Sequence, residues 1–255
     1  MFKNNPCQNA LHVIHPYIFT GLPNLNSLNL SHNVLHTISD SAFTLPSLLT
    51  LDLSGNQLGI IQKSFFSSSP QLAEINLSRN GVSRLNNDNF GMLSRLSVLD
   101  LSHNSFVKIE DNVFVGMNVT HLDLGHNELR RPPKLQLQKL SFVKTLILDG
   151  NPFSFIEKGS LDNIRAEFVS ISGCPSLAMI ETGAIAEMPV LKALTVNDNT
   201  KLTYVDQSFA AGCPKLEALD LSRNNLFALE AGIKSGLPSL RALYLSGNNF
   251  NCHCR

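Results

Sequence analysis

Residues 99–104 read Leu99-Asp100-Leu101-Ser102-His103-Asn104, and nearly the same phrase stands at Leu51-Asp52-Leu53-Ser54-Gly55-Asn56. Leu99 and Leu101 alternate with polar neighbours, which is the two-residue period of a strand with one wet face. The closing asparagine returns at Asn33, Asn56, Asn80, Asn104, Asn127, Asn151, Asn199, Asn224 and Asn248, with Cys174 filling one slot, at intervals of 23, 24 or 25 residues. One short strand per interval follows. Strands that recur this closely, each with a return path to the same edge, must lie parallel and stack into one curved sheet.

The short amide after each strand is suited to bond backbone groups of the bend that would otherwise be buried unpaired, and a thiol at Cys174 fills that slot less well. The rest of each repeat supplies inward anchors: Leu35, Ile38 and Phe43 after Asn33, and Leu58, Ile61 and Phe66 after Asn56. Phe19, Phe90, Phe114 and Phe209 occupy the matching position elsewhere, replaced by Leu137, Leu161 and Ile185 in the middle, so a hydrophobic spine is expected. A fixed period of this length is the signature of a leucine-rich-repeat solenoid. The expected fold is therefore α/β: a horseshoe with one curved parallel β-sheet on its concave face. The pattern divides the chain into a remnant of an N-terminal cap or preceding repeat at 1–8, about eleven repeats over 9–250, and the start of a truncated Cys-rich cap at 251–255.

Composition agrees with this. Hydrophobic residues make up 43% and the formal net charge is zero, so a large core is available and no steering towards nucleic acid or an anionic membrane is expected. No run of eighteen apolar residues is present to span a membrane, and Met1-Phe2-Lys3-Asn4-Asn5 is too polar for a secretion signal, so either element would lie outside these residues.

The phrases Leu51 to Asn56 and Leu99 to Asn104, with the terminal Cys252-x-Cys254, resemble extracellular leucine-rich-repeat proteins, including Toll-like and neuronal adhesion receptors. The resemblance covers nearly the whole chain. It implies that Cys252 and Cys254 each form a disulfide with cysteines of a C-terminal flanking domain. A C-x-C pair also binds zinc, but no companion pair stands at finger-like spacing. Cys174 in a ladder slot and Cys213 in an inward leucine slot read as buried, reduced thiols. Cys7 belongs to an N-terminal cap or is free. Sequons at Asn29-Leu30-Ser31, Asn76-Leu77-Ser78 and Asn118-Val119-Thr120 are candidate glycan acceptors, and Asn29 and Asn76 should point from the concave face.

One outward strand position reads Asn29, Asp52, Asn76, Asp100, Asp123, Ile147, Ser170, Thr195, Asp220, Tyr244, and the other includes Glu74, Val98, His121, Thr145 and Phe168. Ile147 and Phe168 are thereby expected as exposed, neighbouring apolar residues near the middle, the kind of group a protein interface uses as an anchor, unless the repeat simply packs irregularly there. The candidate concave contact surface is Asp100, Asp123, His121, Ile147, Phe168, Thr195, Asp220 and Tyr244. His103 and His126 share the position before the ladder residue; stacked imidazoles would bind metal or sense pH, but no spacing ties an acidic or thiol ligand to them, and simple surface histidines account for them. Arg130, Arg131 and Lys134, broken up by Pro132 and Pro133, form a cationic stretch that reads either as a solvated face or as a site for acidic glycans or an acidic partner.

Neither a nucleophile beside a base nor a glycine-rich phosphate turn is present, and serines such as Ser54, Ser78 and Ser102 recur because they adjoin the ladder. No enzyme activity, cofactor or metal is expected. The expected function is protein recognition by the ectodomain of a cell-surface receptor or adhesion protein. The alternatives are a secreted matrix organiser and, disfavoured by Cys252-x-Cys254 and the repeat length, an intracellular scaffold.

Overall fold

In the computed structural model, which describes residues 10–40, 42–62, 65–87, 89–234 and 236–250, ten strands form one parallel sheet. The expectations for Cys7, Cys252 and Cys254, and for the segments 1–8 and 251–255, concern residues outside this set. The strands follow chain order from Ser27–Asn29 through Thr50–Asp52, Val98–Asp100, Phe142–Ile147 and Ala166–Ser170 to Ala242–Tyr244. In each, a central aliphatic residue points toward the core, as Leu51, Ile75, Leu99, Leu122 and Val169 do, and its neighbours face outward. Return arms of this length hold turns and short extended pieces. Helical structure among the described residues is limited to Lys134–Leu137 and a 3-10 turn at Ala231–Lys234.

The ladder asparagines line up and join successive coils. Asn104 Oδ1 accepts the Val82 N–H at 3.0 Å, while its Nδ2 donates to Leu77 O of the preceding coil at 2.9 Å and to Leu101 O of its own at 3.1 Å. Asn56, Asn80, Asn127 and Asn151 repeat this pattern. Cys174 has no amide to offer, and the Phe153 N–H that would have met one turns instead to Asn151 O at 2.9 Å. In the two 25-residue intervals that follow, the amide binds two residues earlier, at the ladder residue itself: Asn199 Oδ1 accepts from the backbone of Cys174, and Asn224 Oδ1 from that of Asn199, both at 2.8 Å. The extra residue is absorbed by moving the acceptor, and no buried polar side-chain atom among the described residues lacks a partner.

The residue before each ladder position lies in the left-handed region, as at His32, Arg79, His103, His126, Asp198 and Arg223, with φ between 52° and 57°. That reversal turns the next side chain inward, at about 1 kcal/mol of strain for a residue with a Cβ. Glycine relieves it at Gly55 and Gly150, where a Cβ would also collide with the His32 and His126 rings of the preceding coil.

Behind the sheet, Phe43, Phe66, Phe90, Phe114, Leu137, Leu161, Ile185, Phe209 and Ile233 form the buried spine, with Phe19 partly buried at its open end. Phe66 and Phe90 stack with centroids 5.8 Å apart. Phe65 interleaves with the spine, 5.4 Å from Phe43 and edge-on. Cys174 and Cys213 are buried, and burial pushes their thiols up to about 12 and about 11. Cys213 Sγ donates to Ile185 O at 3.1 Å, so both are unreactive core groups.

The ladder makes a comparison of two substitutions informative. Asn104→Ala leaves the buried Val82 N–H without its acceptor and takes one of two donors from the Leu77 and Leu101 carbonyls, which keep Asn80 and Asn127, and should cost about 3 kcal/mol in urea denaturation. Cys174→Ala removes one 3.8 Å contact to Ser172 O and should cost about 1 kcal/mol. Equal losses at the two sites would refute the role given to the amide.

Candidate functional site: the concave face

The concave face carries two outward columns whose register is set by the strand pairing. The first runs Asn29, Asp52, Asn76, Asp100, Asp123, Ile147, Ser170, Thr195, Asp220, Tyr244, each paired with the next. The polar members have local work to do. The side-chain oxygens of Asn76, Asp100, Asp123 and Asp220 accept the N–H two residues on, at 2.7–2.9 Å, closing the turn out of the strand. Asp100 and Asp220 are therefore turn-closing residues as well as surface charges. Asp220 also takes the Asn197 amide at 3.1 Å.

Asp123 is the electrostatically unusual member. Burial pushes its carboxyl up to about 6, with Asp100 and Asp149 adding to the rise, while the Gly125 N–H and His121 oppose it. His121 lies in the second column between Val98 and Thr145, half-buried. His103 and His126 stack with centroids 4.2 Å apart and rings within 5° of parallel. Burial, then the charges of His126 and Arg79, hold the His103 imidazole below its ordinary range, against Asp100. No group of three or more His, Cys, Asp or Glu among the described residues is placed to hold a metal ion.

The second column continues from Thr145 to Phe168, Ala193, Ala218 and Ala242. Phe168 therefore stands at the edge of a strip of alanines, low ground beside a large ring. The alanines lie at the same offset from the ladder as Glu74, Val98, His121, Thr145 and Phe168, so the repeat count alone reaches them. Ile147 pairs with Ser170 and Phe168 with Thr145, so the two apolar residues sit diagonally on adjacent strands. Both are half-buried rather than exposed, because the inside of an arc crowds neighbouring side chains. Thr195 shares this region. Tyr244, 56% exposed, stands four strands from Ile147, about 19 Å at the usual strand spacing, so it is not part of the same patch. The recess lined by Asn29, Asp52, Glu74, Asn76, Val98 and Asp100 lies in the other half of the face.

Asn118 is exposed at the start of its strand, Asn29 is exposed in the first column, and Asn76 is half-buried with Oδ1 held by the Ser78 N–H and hydroxyl. The cationic stretch is largely neutralised: Arg131 pairs with Glu157 at 3.3 Å and Lys134 with Asp162 at 3.6 Å, leaving Arg130 exposed beside them. No helix among the described residues is long and apolar enough to cross a membrane.

The leucine rich repeat family pattern matches residues 7–58, 70–129 and 189–250. Tsukushi of Gallus gallus is 33% identical over 229 residues, 87% of this chain and 61% of that protein. Toll-like receptor 3 of Bos taurus is 28% identical, over 82% of this chain and 20% of the receptor. A chain in the solved octameric complex of Latrophilin 3, Unc5D and FLRT2 superposes with a TM-score of 0.76 at 22% identity, covering 91% of this chain and 71% of that one, which speaks to the fold. The chain spans about three fifths of the length of the Tsukushi proteins it matches. With these repeats, this register and these relatives, the chain belongs to the leucine-rich-repeat family and stands among its extracellular and cell-surface members.

Proposed function

We propose that this chain is a non-enzymatic protein-recognition module of a receptor or adhesion ectodomain, and that it holds its ligand on the second half of the concave face. The observation that carries this is the Phe168 ring, standing with Ile147 beside the strip Ala193, Ala218 and Ala242, whereas the outward columns before it are polar apart from Val98. A large apolar side chain next to low ground, rimmed by Thr145, Thr195 and Asp220, offers a knob and a slot to a complementary protein surface. Asp100, Asp123 and His121 lie upstream and supply the polar rim, while Tyr244 would make a separate contact near the last strand. Among structural neighbours, a chain of the same fold is solved within the complex of Latrophilin 3, Unc5D and FLRT2, which supports a protein as the class of ligand.

Glycans fit this arrangement best at Asn118, whose exposed side chain lies outside the first column, whereas sugar at Asn29 or Asn76 would project from the first half of the face and leave the second half open. The ion pairs of Arg131 and Lys134 favour a protein ligand over an acidic glycan at the cationic stretch. The family resemblance implies that Cys252 and Cys254 would form disulfides of a C-terminal cap.

Capture from a library of extracellular proteins, followed by titration of the captured ligand, tests the site. Phe168→Asp should weaken binding by about thirtyfold, the size of a hot-spot truncation, with Ile147→Asp acting in the same direction. Unchanged affinity in both folded variants would remove this surface from the account. Asp123 makes an independent prediction. Its folded-state carboxyl titrates higher than in the unfolded chain, so its contribution to stability is fully present below about pH 4 and is lost as pH rises through about 6. Asp123→Asn keeps the oxygen that accepts the Gly125 N–H, as Asn76 does for Ser78. It should therefore stabilise the chain by about 1 kcal/mol at pH 7.5, allowing for solvent screening, and hardly at all near pH 3; urea midpoints that shift equally at both pH values would contradict this.

A further inference from the structure

On the flank of the solenoid, away from the concave columns, a second parallel sheet is made by Phe155–Ile156, Met179–Ile180 and Tyr204–Val205, with the Met179 strand in the centre. Ile156, Ile180 and Val205 point inward and are buried, so the alternate residues Phe155, Met179 and Tyr204 form an outward row in direct register. Phe155 is 45% and Tyr204 40% exposed, and Met179 between them is half-buried. Two residues further on in successive coils come Glu157, Glu181, Asp206 and Glu230, a parallel row of carboxylates on the same side of the chain.

The first row starts with Val13, Thr37 and Ile60, and in the three coils just before the small sheet it carries the cations Arg84, Lys108 and Arg131, which meet the second row. Arg84 pairs with Glu110 at 3.2 Å, and Arg131 pairs with Glu157 at 3.3 Å, in each case a cation reaching a carboxylate 26 residues later. Lys108, also in the first row, meets Glu110 at 3.5 Å. Carried forward, that geometry would set Phe155 against Glu181, Met179 against Asp206 and Tyr204 against Glu230. From Phe155 on, apolar groups follow the cations in the first row and the carboxylates of the second are kept. Tyr204 gives its hydroxyl to Glu230 at 3.2 Å and approaches Asp206 at 3.3 Å, which confirms that the rows adjoin, yet among the described residues Glu181, Asp206 and Glu230 form no salt bridge. Lys158 lines the recess between Met179, Glu181 and Tyr204, but it is the Lys158 backbone N–H that binds Glu181. Across residues 151–230 there are ten Asp and Glu against six Lys and Arg.

We infer that this flank is a second docking surface, for a cationic amphipathic helix of another protein that lies across the three strands, placing apolar side chains on Phe155, Met179 and Tyr204 and Lys or Arg against Glu181, Asp206 and Glu230. Spacing selects a helix over an extended segment. Adjacent strands stand about 4.8 Å apart and a helix advances about 5.4 Å per turn, whereas same-face residues of an extended segment are separated by about 6.7 Å. Charge selects the sign, since an acidic helix, a nucleic acid or an anionic membrane would meet uncompensated carboxylates. The occupant is not a second copy of the described part of this chain, whose helices Lys134–Leu137 and Ala231–Lys234 have four residues each.

The test is fluorescence anisotropy of two labelled helical peptides of about 18 residues, identical in leucines at i, i+3/i+4 and i+7, one flanked by Lys and Arg and the other by Glu, titrated with the 255-residue chain. The cationic peptide should bind at least about tenfold tighter than the acidic one, and Met179→Lys should weaken it about tenfold. Glu181→Gln with Glu230→Gln should weaken it and flatten its dependence on salt. Equal binding of the two peptides, or loss through Phe168→Asp on the concave face without loss through Met179→Lys, would overturn the inference while leaving the concave site standing. If Met179→Lys compromises folding, Phe155→Arg at the edge of the small sheet reads the same contact with its core neighbours untouched.

Discussion

A buried asparagine that takes an N–H from the coil before it, and returns its own two N–H groups to carbonyls of both coils, is the interaction on which this molecule is built. A strand of three residues cannot by itself hold the next coil in register, because it offers few ladder bonds and the apolar core behind it is indifferent to sliding. The amide is not indifferent. Its oxygen and nitrogen meet partners on two coils at once, and a slip of one residue would leave several buried polar groups unpaired.

Once coils are held in that register, any residue at a fixed offset from the asparagine becomes a column running the length of the solenoid. The phenylalanine spine, the left-handed residues from His32 to Arg223, and the turn-closing Asp and Asn side chains are three such columns, and each has a structural cause. Function is then to be sought where a column departs from its own rule. Ile147 stands where Asp123 and Asp100 close turns, and Phe168 stands where its neighbours are Thr145 and Ala193. On the flank, Phe155, Met179 and Tyr204 follow directly on Arg84, Lys108 and Arg131 in the same row. None of these substitutions improves the core, since the side chains face outward.

Both departures begin near the middle of the chain, where Pro132 and Pro133 interrupt one return arm and Cys174 interrupts the ladder. The next two intervals gain a residue and the amides shift to an earlier backbone N–H, while the return arms pair as the small flank sheet, as Val13–Ile14 and Thr37–Ile38 do at the other end. On the concave face the first half is the more polar, and the second half carries both Phe168 with its alanine strip and the flank row of Phe155, Met179 and Tyr204.

The period of the asparagines and the alternation of leucines were enough to specify the parallel sheet, the inward anchors and the membership of every outward column, because those depend only on chain distance and on the two-residue repeat of a strand. Phe43, Asn104 and Asp123 could each be assigned an orientation from position alone. What required the folded chain were relations between coils. The diagonal placing of Ile147 and Phe168, the separation of Tyr244 from them, the pairing of Arg131 with Glu157 and the rise of the Asp123 carboxyl all arise from groups some two dozen residues apart. Their distances are set by the curvature of the stack and by how much water it excludes, and neither quantity is written in the spacing of one repeat.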